Sequence, residues 1–128
     1  MLNPTPMNLL IGRFYFRLTD SGNLIGEYSN NQCEERNYTE SAIRIDQESH
    51  AEPFVGKYRS TWCEANGTKH FLAELDIRKK SKDVFLLEWR FVENGKVHSK
   101  PHFFGQGMLC GGMLIGNYWD KEGAEYIH

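Results

Sequence analysis

Apolar and polar residues alternate along most of this chain, which is the pattern of strands with one buried face. Residues 10–18 carry their apolar side chains at every second position. Residues 20–23 have the composition of a turn, and a second alternating run follows at residues 24–29. The pattern predicts a β-hairpin over residues 10–29.

A five-residue pattern of a large apolar residue, a β-branched residue, a glycine, a polar residue and an aromatic ring recurs along the chain. Its copies are Leu10-Ile11-Gly12-Arg13-Phe14, Leu24-Ile25-Gly26-Glu27-Tyr28, Phe54-Val55-Gly56-Lys57-Tyr58 and Leu114-Ile115-Gly116-Asn117-Tyr118. In a strand, the glycine and the ring of each copy share a face. A glycine inside a strand marks a bend, a bulge or a close approach of two backbones. Strands bent at the same place predict a small sheet that curls and closes.

The remaining alternating runs complete an all-β pattern. They occupy residues 54–62, 71–78, 85–91, 97–108 and 113–119, with a last short strand at residues 124–127. Pro101 breaks the run at residues 97–108. Asn66-Gly67 and Asn94-Gly95 are signals of tight hairpin turns. Short turns join sequential antiparallel neighbours, so we predict an antiparallel up-and-down barrel of about eight strands. It forms a single domain over residues 1–128, with an irregular lead-in at residues 1–9.

Residues 30–52 interrupt the alternation with an acidic stretch. Such a charge run is usually a solvated face, so we expect its glutamates, Glu40 among them, to face water. Within this stretch, residues 41–46 predict a short strand that buries Ile43 and Ile45. A helical turn over residues 33–36 is an alternative for its first part.

The charge and the cysteine content of the chain argue against some classes of function and indicate a compartment. The formal net charge is −2, whereas nucleic-acid binding needs a concentrated basic surface, so we expect no nucleic-acid partner. No apolar run approaches the roughly 18 residues that span a bilayer, and we expect no membrane partner. Residues 1–6 lack the features of a signal peptide.

The cysteines, Cys33, Cys63 and Cys110, are odd in number and share no metal-type spacing. We expect reduced thiols in a cytoplasmic protein.

Several strands resemble those of the calycin superfamily, in particular its avidin-like and lipocalin-like barrels. Residues 54–58 look like the Gly-x-Trp/Tyr opening strand of those barrels, and residues 24–28 are similar to the Thr-Gly-Thr-Tyr pattern of avidins. Residues 85–91 resemble their aromatic inner strand, and residues 104–107 a later one. The order of these segments differs from that of an avidin, and the biotin-binding hydroxyls have no counterpart here. The resemblance implies a barrel whose interior receives a small apolar molecule.

The alternation also assigns the inward-facing side chains. The predicted inner rings are Phe14, Phe16, Tyr28, Tyr58, Trp62, Phe71, Phe85, Trp89, Phe91 and Tyr118. In a small barrel, such rings either fill the core or line a pocket for one ligand. We predict a non-catalytic barrel that binds a small apolar or amphipathic ligand and uses no cofactor. The predicted ligand-binding residues are Tyr58, Trp62, Trp89, Tyr118 and His102.

Other functions stay open at this point. An enzyme could place its site at the barrel mouth, with His98 or His102 as the reacting group. On a continuous strand those histidines would lie about 13 Å apart, too far to share one ion, so we predict no metal site. Cys63 has no histidine or aspartate at a spacing that marks a nucleophilic pair. A filled barrel could instead act through its surface, as an interaction module or a homo-oligomer, with apolar residues such as Leu72 and Ile115 facing outward.

Overall fold

The computed structural model describes residues 9–33, 36–46, 52–64 and 67–121. These residues form nine strands. The strands are β1 (Ile11–Leu18), β2 (Leu24–Asn30), β3 (Tyr38–Arg44), β4 (Gly56–Glu64), β5 (Lys69–Ser81), β6 (Val84–Glu93), β7 (Lys96–Val97), β8 (Phe103–Cys110) and β9 (Met113–Asp120). Among the described residues, no helix is long and apolar enough to cross a bilayer.

Eight of these strands form a closed antiparallel barrel, which confirms the predicted fold class. Strands β1 to β6 pair each with the next, β6 pairs with β8, and β8 pairs with β9. The ring closes where β9 pairs with β1, with Phe14 opposite Gly116. Strand β7 only extends the end of β6. Asn94 and Gly95 in the turn between them both have positive φ, as a two-residue hairpin turn requires.

The recurring glycines of β1, β2 and β9 lie where neighbouring backbones touch, whereas Gly56 lies against the Arg44 side chain. A Cβ atom at Gly26 would overlap the carbonyl oxygen of Tyr15, and one at Gly116 would overlap that of Gln106. The rings two residues later, Tyr28 and Tyr118, are buried inside the barrel. The glycines therefore let the sheet coil tightly enough to close, as the sequence pattern predicted.

One end of the barrel is solidly filled, and we call it the closed end. Its apolar side chains are no more than 1% exposed: Phe16, Leu24, Leu75, Ile77, Phe85, Leu87 and Leu114. Arg44 covers this end, with its guanidinium carbon 5.0 Å from the centre of the Tyr58 ring. Arg44 Nη2 donates to the Tyr58 hydroxyl at 2.9 Å, and that hydroxyl donates to the Phe54 carbonyl at 2.8 Å. The buried Tyr58 hydroxyl therefore has both a donor and an acceptor within the protein.

The acidic stretch differs from its prediction. A strand does form there, but Ile43 is 62% exposed and Ile45 is 41% exposed, so the prediction that they are buried was wrong. The pairing of β3 with β2 and β4 places Ala42 opposite Leu24 and Ser60, and this register turns Ala42 and Glu40 inward. A one-residue change of parity moves every side chain of a strand to the other face. The expectation that Glu40 faces water was therefore also wrong.

The other predicted elements divide into those that the structure covers and those that it does not. Residues 97–108 do not form one continuous run, because residues 98–102 separate β7 from β8. Most of the N-terminal lead-in, Asn66 and the strand predicted at residues 124–127 lie outside the described residues. The predicted inner rings all lie in the core cluster or pack against it.

Candidate functional site

The end of the barrel opposite the closed end opens into a cavity of about 250 Å³, and we call that end the mouth. The cavity is surrounded by the last residues of β2, β4, β6 and β9 and the first residues of β3, β5 and β8. Its lining consists of Leu10, Phe14, Tyr28, Asn30, Gln32, Cys33, Tyr38, Glu40, Trp62, Glu64, Lys69, Phe71, Trp89, Phe91, Phe103 and Tyr118. The described barrel therefore has a filled half and a hollow half.

Aromatic rings build the wall of this cavity by leaning on one another. Trp62 stacks on Phe71 with ring centres 5.5 Å apart, and Phe71 stacks on Phe91 at 5.9 Å. The Trp89 ring lies against Gly105, where a Cβ atom would be 3.1 Å from its ring carbon Cζ3. Rings held flat against the wall cannot fill the middle, which explains why this half stays open.

Glu40 lies at the inner part of the cavity and is only 5% exposed. The Ser60 hydroxyl donates to Glu40 Oε2 at 2.5 Å, and the Trp89 indole N–H donates to the same oxygen at 2.8 Å. Burial raises the pKa of Glu40 to about 7, although these two hydrogen bonds favour the ionised form. A carboxyl group in this setting changes its charge close to neutral pH.

The rim of the cavity carries further polar groups. The Tyr28 hydroxyl donates to Glu64 Oε2 at 2.6 Å, and the Asn30 amide donates to the Tyr118 hydroxyl at 2.8 Å. Burial is the main cause that raises the pKa of both tyrosines, so they stay neutral at physiological pH. Lys69, at the start of β5, is exposed. The rim thus offers hydroxyl, amide and carboxylate groups around an apolar interior.

The structure brings three of the five sequence-predicted ligand residues together. Trp62, Trp89 and Tyr118 all line the cavity. Tyr58 is fully buried at the closed end, where it contacts Arg44. His102 does not line the cavity but borders a separate depression beside it. The centres of the His102 and Phe91 rings lie 4.3 Å apart. The Nδ1 atom of His102 accepts a hydrogen bond from the Phe91 backbone amide at 3.2 Å.

The two neighbouring histidines lie closer than a continuous strand would allow. The ring centres of His98 and His102 are 4.8 Å apart, because residues 98–102 leave the sheet. His98 Nε2 lies 3.4 Å from a carboxylate oxygen of Glu93. Within the part of the chain that the structure describes, no three His, Cys, Asp or Glu side chains are grouped so that they could hold a metal ion.

A thiol and an imidazole also meet on the outer wall. Cys63 and His70 are opposite each other on β4 and β5, and Sγ lies 3.0 Å from Nδ1. Both side chains are exposed. The spacing along the sequence gave no sign of this pair, because it depends on the register of the β4–β5 hairpin. The pair lies outside the cavity lining.

Comparison of the chain with protein-family models, with curated proteins and with solved structures finds no match.

Proposed function

We propose that this protein is a non-catalytic binding protein that holds one small apolar or amphipathic molecule in the cavity at the mouth. The observation that carries the proposal is the ring-walled cavity of about 250 Å³ in an otherwise filled barrel. Binding sites for small molecules are typically concave and mostly apolar, with a few polar groups that fix orientation. The rings supply the apolar surface here, and Glu40, Asn30 and Tyr118 supply the polar groups.

The volume of the cavity limits the size of the ligand that it can hold. Pockets for drug-sized molecules usually measure about 300–1,000 Å³, so this cavity suits a small ligand of no more than about three rings. Apolar contact contributes about 25 cal/mol for each Å² removed from water, which favours ligands that cover the faces of Trp62 and Phe71. A long lipid chain would have to extend out of the mouth, because the closed end is solidly packed.

The proposal includes the kind of barrel and its location. A closed eight-stranded antiparallel barrel with a mouth at one end is consistent with a calycin-like, lipocalin-like or avidin-like protein. We propose a cytoplasmic protein, since Cys33, Cys63 and Cys110 are all free thiols. A fold alone does not imply a ligand, so the binding test below decides the function.

The test is a titration with N-phenyl-1-naphthylamine, a neutral fluorophore whose emission increases in apolar surroundings. We expect saturable binding to the wild-type protein and weaker binding to Trp62→Ala. Trp119→Ala is the matched control, because Trp119 does not line the cavity, and its affinity should equal that of the wild type. Circular dichroism verifies that both variants are folded. The absence of saturable binding to the folded wild-type protein would refute the proposed function.

A second candidate is an interaction module or homo-oligomer, favoured by apolar residues on the outer wall. Ile25 is 51% exposed and Ile43 is 62% exposed on the neighbouring strands β2 and β3. Sedimentation equilibrium tests this function. If the wall mediates self-association, Ile43→Lys should produce monomers, whereas Thr39→Lys on the same face of β3 should not. A monomeric wild-type protein would contradict the homo-oligomer.

A further inference from the structure

Among the residues that the structure describes, no positively charged side chain pairs with the buried carboxyl group of Glu40. Both hydrogen bonds that it receives from described residues come from neutral donors, Ser60 and Trp89, and both end on Oε2. Oxygen Oε1 therefore remains available, and Glu40 contributes to the cavity lining. Buried carboxylates in proteins are normally paired with a cation or fully hydrogen-bonded. A ligand in the cavity is in the right place to supply the missing donor.

The charges around the cavity also favour a cation. Among the described residues, the lining contains two carboxyl groups, Glu40 and Glu64, and one ammonium group, Lys69. Lys69 is exposed at the start of β5, whereas Glu40 is almost completely buried. The inner part of the cavity therefore becomes negative when Glu40 ionises.

The rings beside Glu40 suit the same ligand. The indole of Trp89 donates to Glu40, and Tyr28, Trp62 and Phe91 lie in the same lining. The faces of aromatic rings attract cations, and this attraction is stronger where water is excluded. A cationic head group near Glu40 would thus meet aromatic surface as well as a carboxylate.

We propose that the ligand is a small organic amine whose ammonium group donates a hydrogen bond to Glu40 Oε1 while its apolar part lies against Trp62 and Phe71. This inference rests on the proposed function, because it specifies the ligand of the same cavity. It predicts a preference for amines over neutral molecules of the same shape.

The cavity contains other titratable groups, and the comparison with Glu40→Gln separates the effect of Glu40 from theirs. They are Tyr28 on β2, Cys33 after β2, Tyr38 on β3, Glu64 on β4, Lys69 on β5 and Tyr118 on β9. The residues of β1, β6 and β8 in the lining have no titratable side chain. Burial raises the pKa values of Tyr28, Cys33 and Tyr118, so these groups remain neutral where Glu40 titrates.

The test compares phenethylamine with phenethyl alcohol as competitors of N-phenyl-1-naphthylamine. An alkyl ammonium group titrates near about pH 10, so the amine stays charged while Glu40 changes its state near about pH 7. For the wild-type protein at about pH 8, we expect the amine to bind at least about tenfold more tightly than the alcohol. Between about pH 8 and about pH 6, the Kd of the amine should rise about tenfold, because binding must then expel the proton of Glu40. The Kd of the alcohol should change little.

The variant arm is Glu40→Gln, which keeps an acceptor for Ser60 and Trp89 but cannot ionise. It should bind both competitors equally at each pH. Glu74→Gln, on the outer side of β5, is the charge-matched control and should keep the preference of the wild type. Circular dichroism verifies the fold; if Glu40→Gln does not fold, the pH dependence of the wild type decides alone.

The outcomes separate the two proposals. If the fluorophore binds but the amine has no advantage, or its advantage survives in Glu40→Gln or grows as the pH falls, the amine inference is refuted and the proposed function stands. If the fluorophore does not bind the folded wild-type protein, the proposed function fails, and the amine inference fails with it.

Discussion

The two ends of this barrel are made of the same strands but have opposite constructions. At the closed end, aliphatic residues such as Leu75 and Leu87 interdigitate and are at most 1% exposed. At the mouth, rings such as Trp62 and Phe71 stack along the wall and enclose a cavity. Branched aliphatic side chains pack densely in the middle of the closed end, whereas rings stacked along the wall leave the middle of the mouth open.

Because of this difference, the two halves contribute differently to stability and to ligand binding. The closed end removes its side chains from water completely, so it supplies the larger share of the packing energy per residue. The mouth leaves part of its ring surface accessible, which costs stability but creates a place for a ligand. Strand β6 shows the transition within one segment, because Phe85 is 1% exposed while Phe91 is only partly buried.

Truncating these two phenylalanines should have the largest effect on stability and should show the difference between the two ends directly. Phe85→Ala should reduce the free energy of unfolding by about 3–5 kcal/mol, because it leaves a void in a filled core. Phe91→Ala should cost at least about 1 kcal/mol less, because its ring already borders open space. Urea denaturation of both variants measures the difference. Equal losses would mean that the mouth is as tightly packed as the closed end.

Glu40 lies between the two halves, and its charge state should make stability depend on pH. Its pKa is raised from an ordinary value of 4.5 to about 7, so folding favours the neutral form. The favourable contribution is complete below about pH 4.5 and is lost as the pH rises to about 7, by about 3 kcal/mol at about 1.4 kcal/mol per pKa unit. Relative to Glu40→Gln, the wild-type protein should therefore become less stable across that window and lose nothing more above it.

Urea denaturation at a series of pH values measures this prediction. Glu74→Gln provides the control, because it removes a carboxyl group from the outer side of β5 and leaves Glu40 in place. Its pH profile should run parallel to that of the wild type. A Glu40→Gln profile that is also parallel would show that Glu40 does not have its raised pKa.

Removing a single hydroxyl group at each end should give the smallest effect. Tyr58→Phe removes the hydroxyl that donates to the Phe54 carbonyl and accepts from Arg44 Nη2, and should cost about 1–2 kcal/mol. Tyr118→Phe removes only the acceptor for the Asn30 amide at the rim, where water can replace it, and should cost about 0.5 kcal/mol. Thermal unfolding of the two variants ranks them. The reverse ranking would show that the rim is less accessible to water than its position indicates.

The sequence predicted the barrel well because one signal repeats on many strands. Strict alternation placed Phe14, Trp62 and Trp89 inside, and the recurring glycines indicated closure before any pairing was known. Each strand carries this information in its own residues, so an error in one strand does not change the fold. The pattern could not distinguish a hollow mouth from a filled one, because both place rings inside.

The site was less predictable because its key polar residue lies in the one strand with a weak pattern. If Tyr38 is taken to face inward, the alternation also places Glu40 and Ala42 inside the barrel. If Ile43 is taken to face inward, the same alternation places Glu40 and Ala42 outside. The sequence analysis buried the isoleucines and placed the glutamates in water, because an acidic run is usually a solvated face. The hydrogen-bond partners of Glu40, which are Ser60 and Trp89, come from β4 and β6, and only the pairing of the strands reveals them. The contact between Cys63 and His70 was missed for the same reason.

The pairing of β1 with β9 also determines the order in which this chain can fold. Ile11 lies opposite Trp119, so this seam joins residues about 100 positions apart, and closing so long a loop costs more entropy than closing a hairpin. The β1–β2, β4–β5 and β8–β9 hairpins need only local contacts, which form in about 1–10 μs. The pairing of β1 with β9 cannot form until both strands have formed. Until then the edges of β1 and β9 are open to other chains, so the interval before closure is when this barrel is most exposed to aggregation.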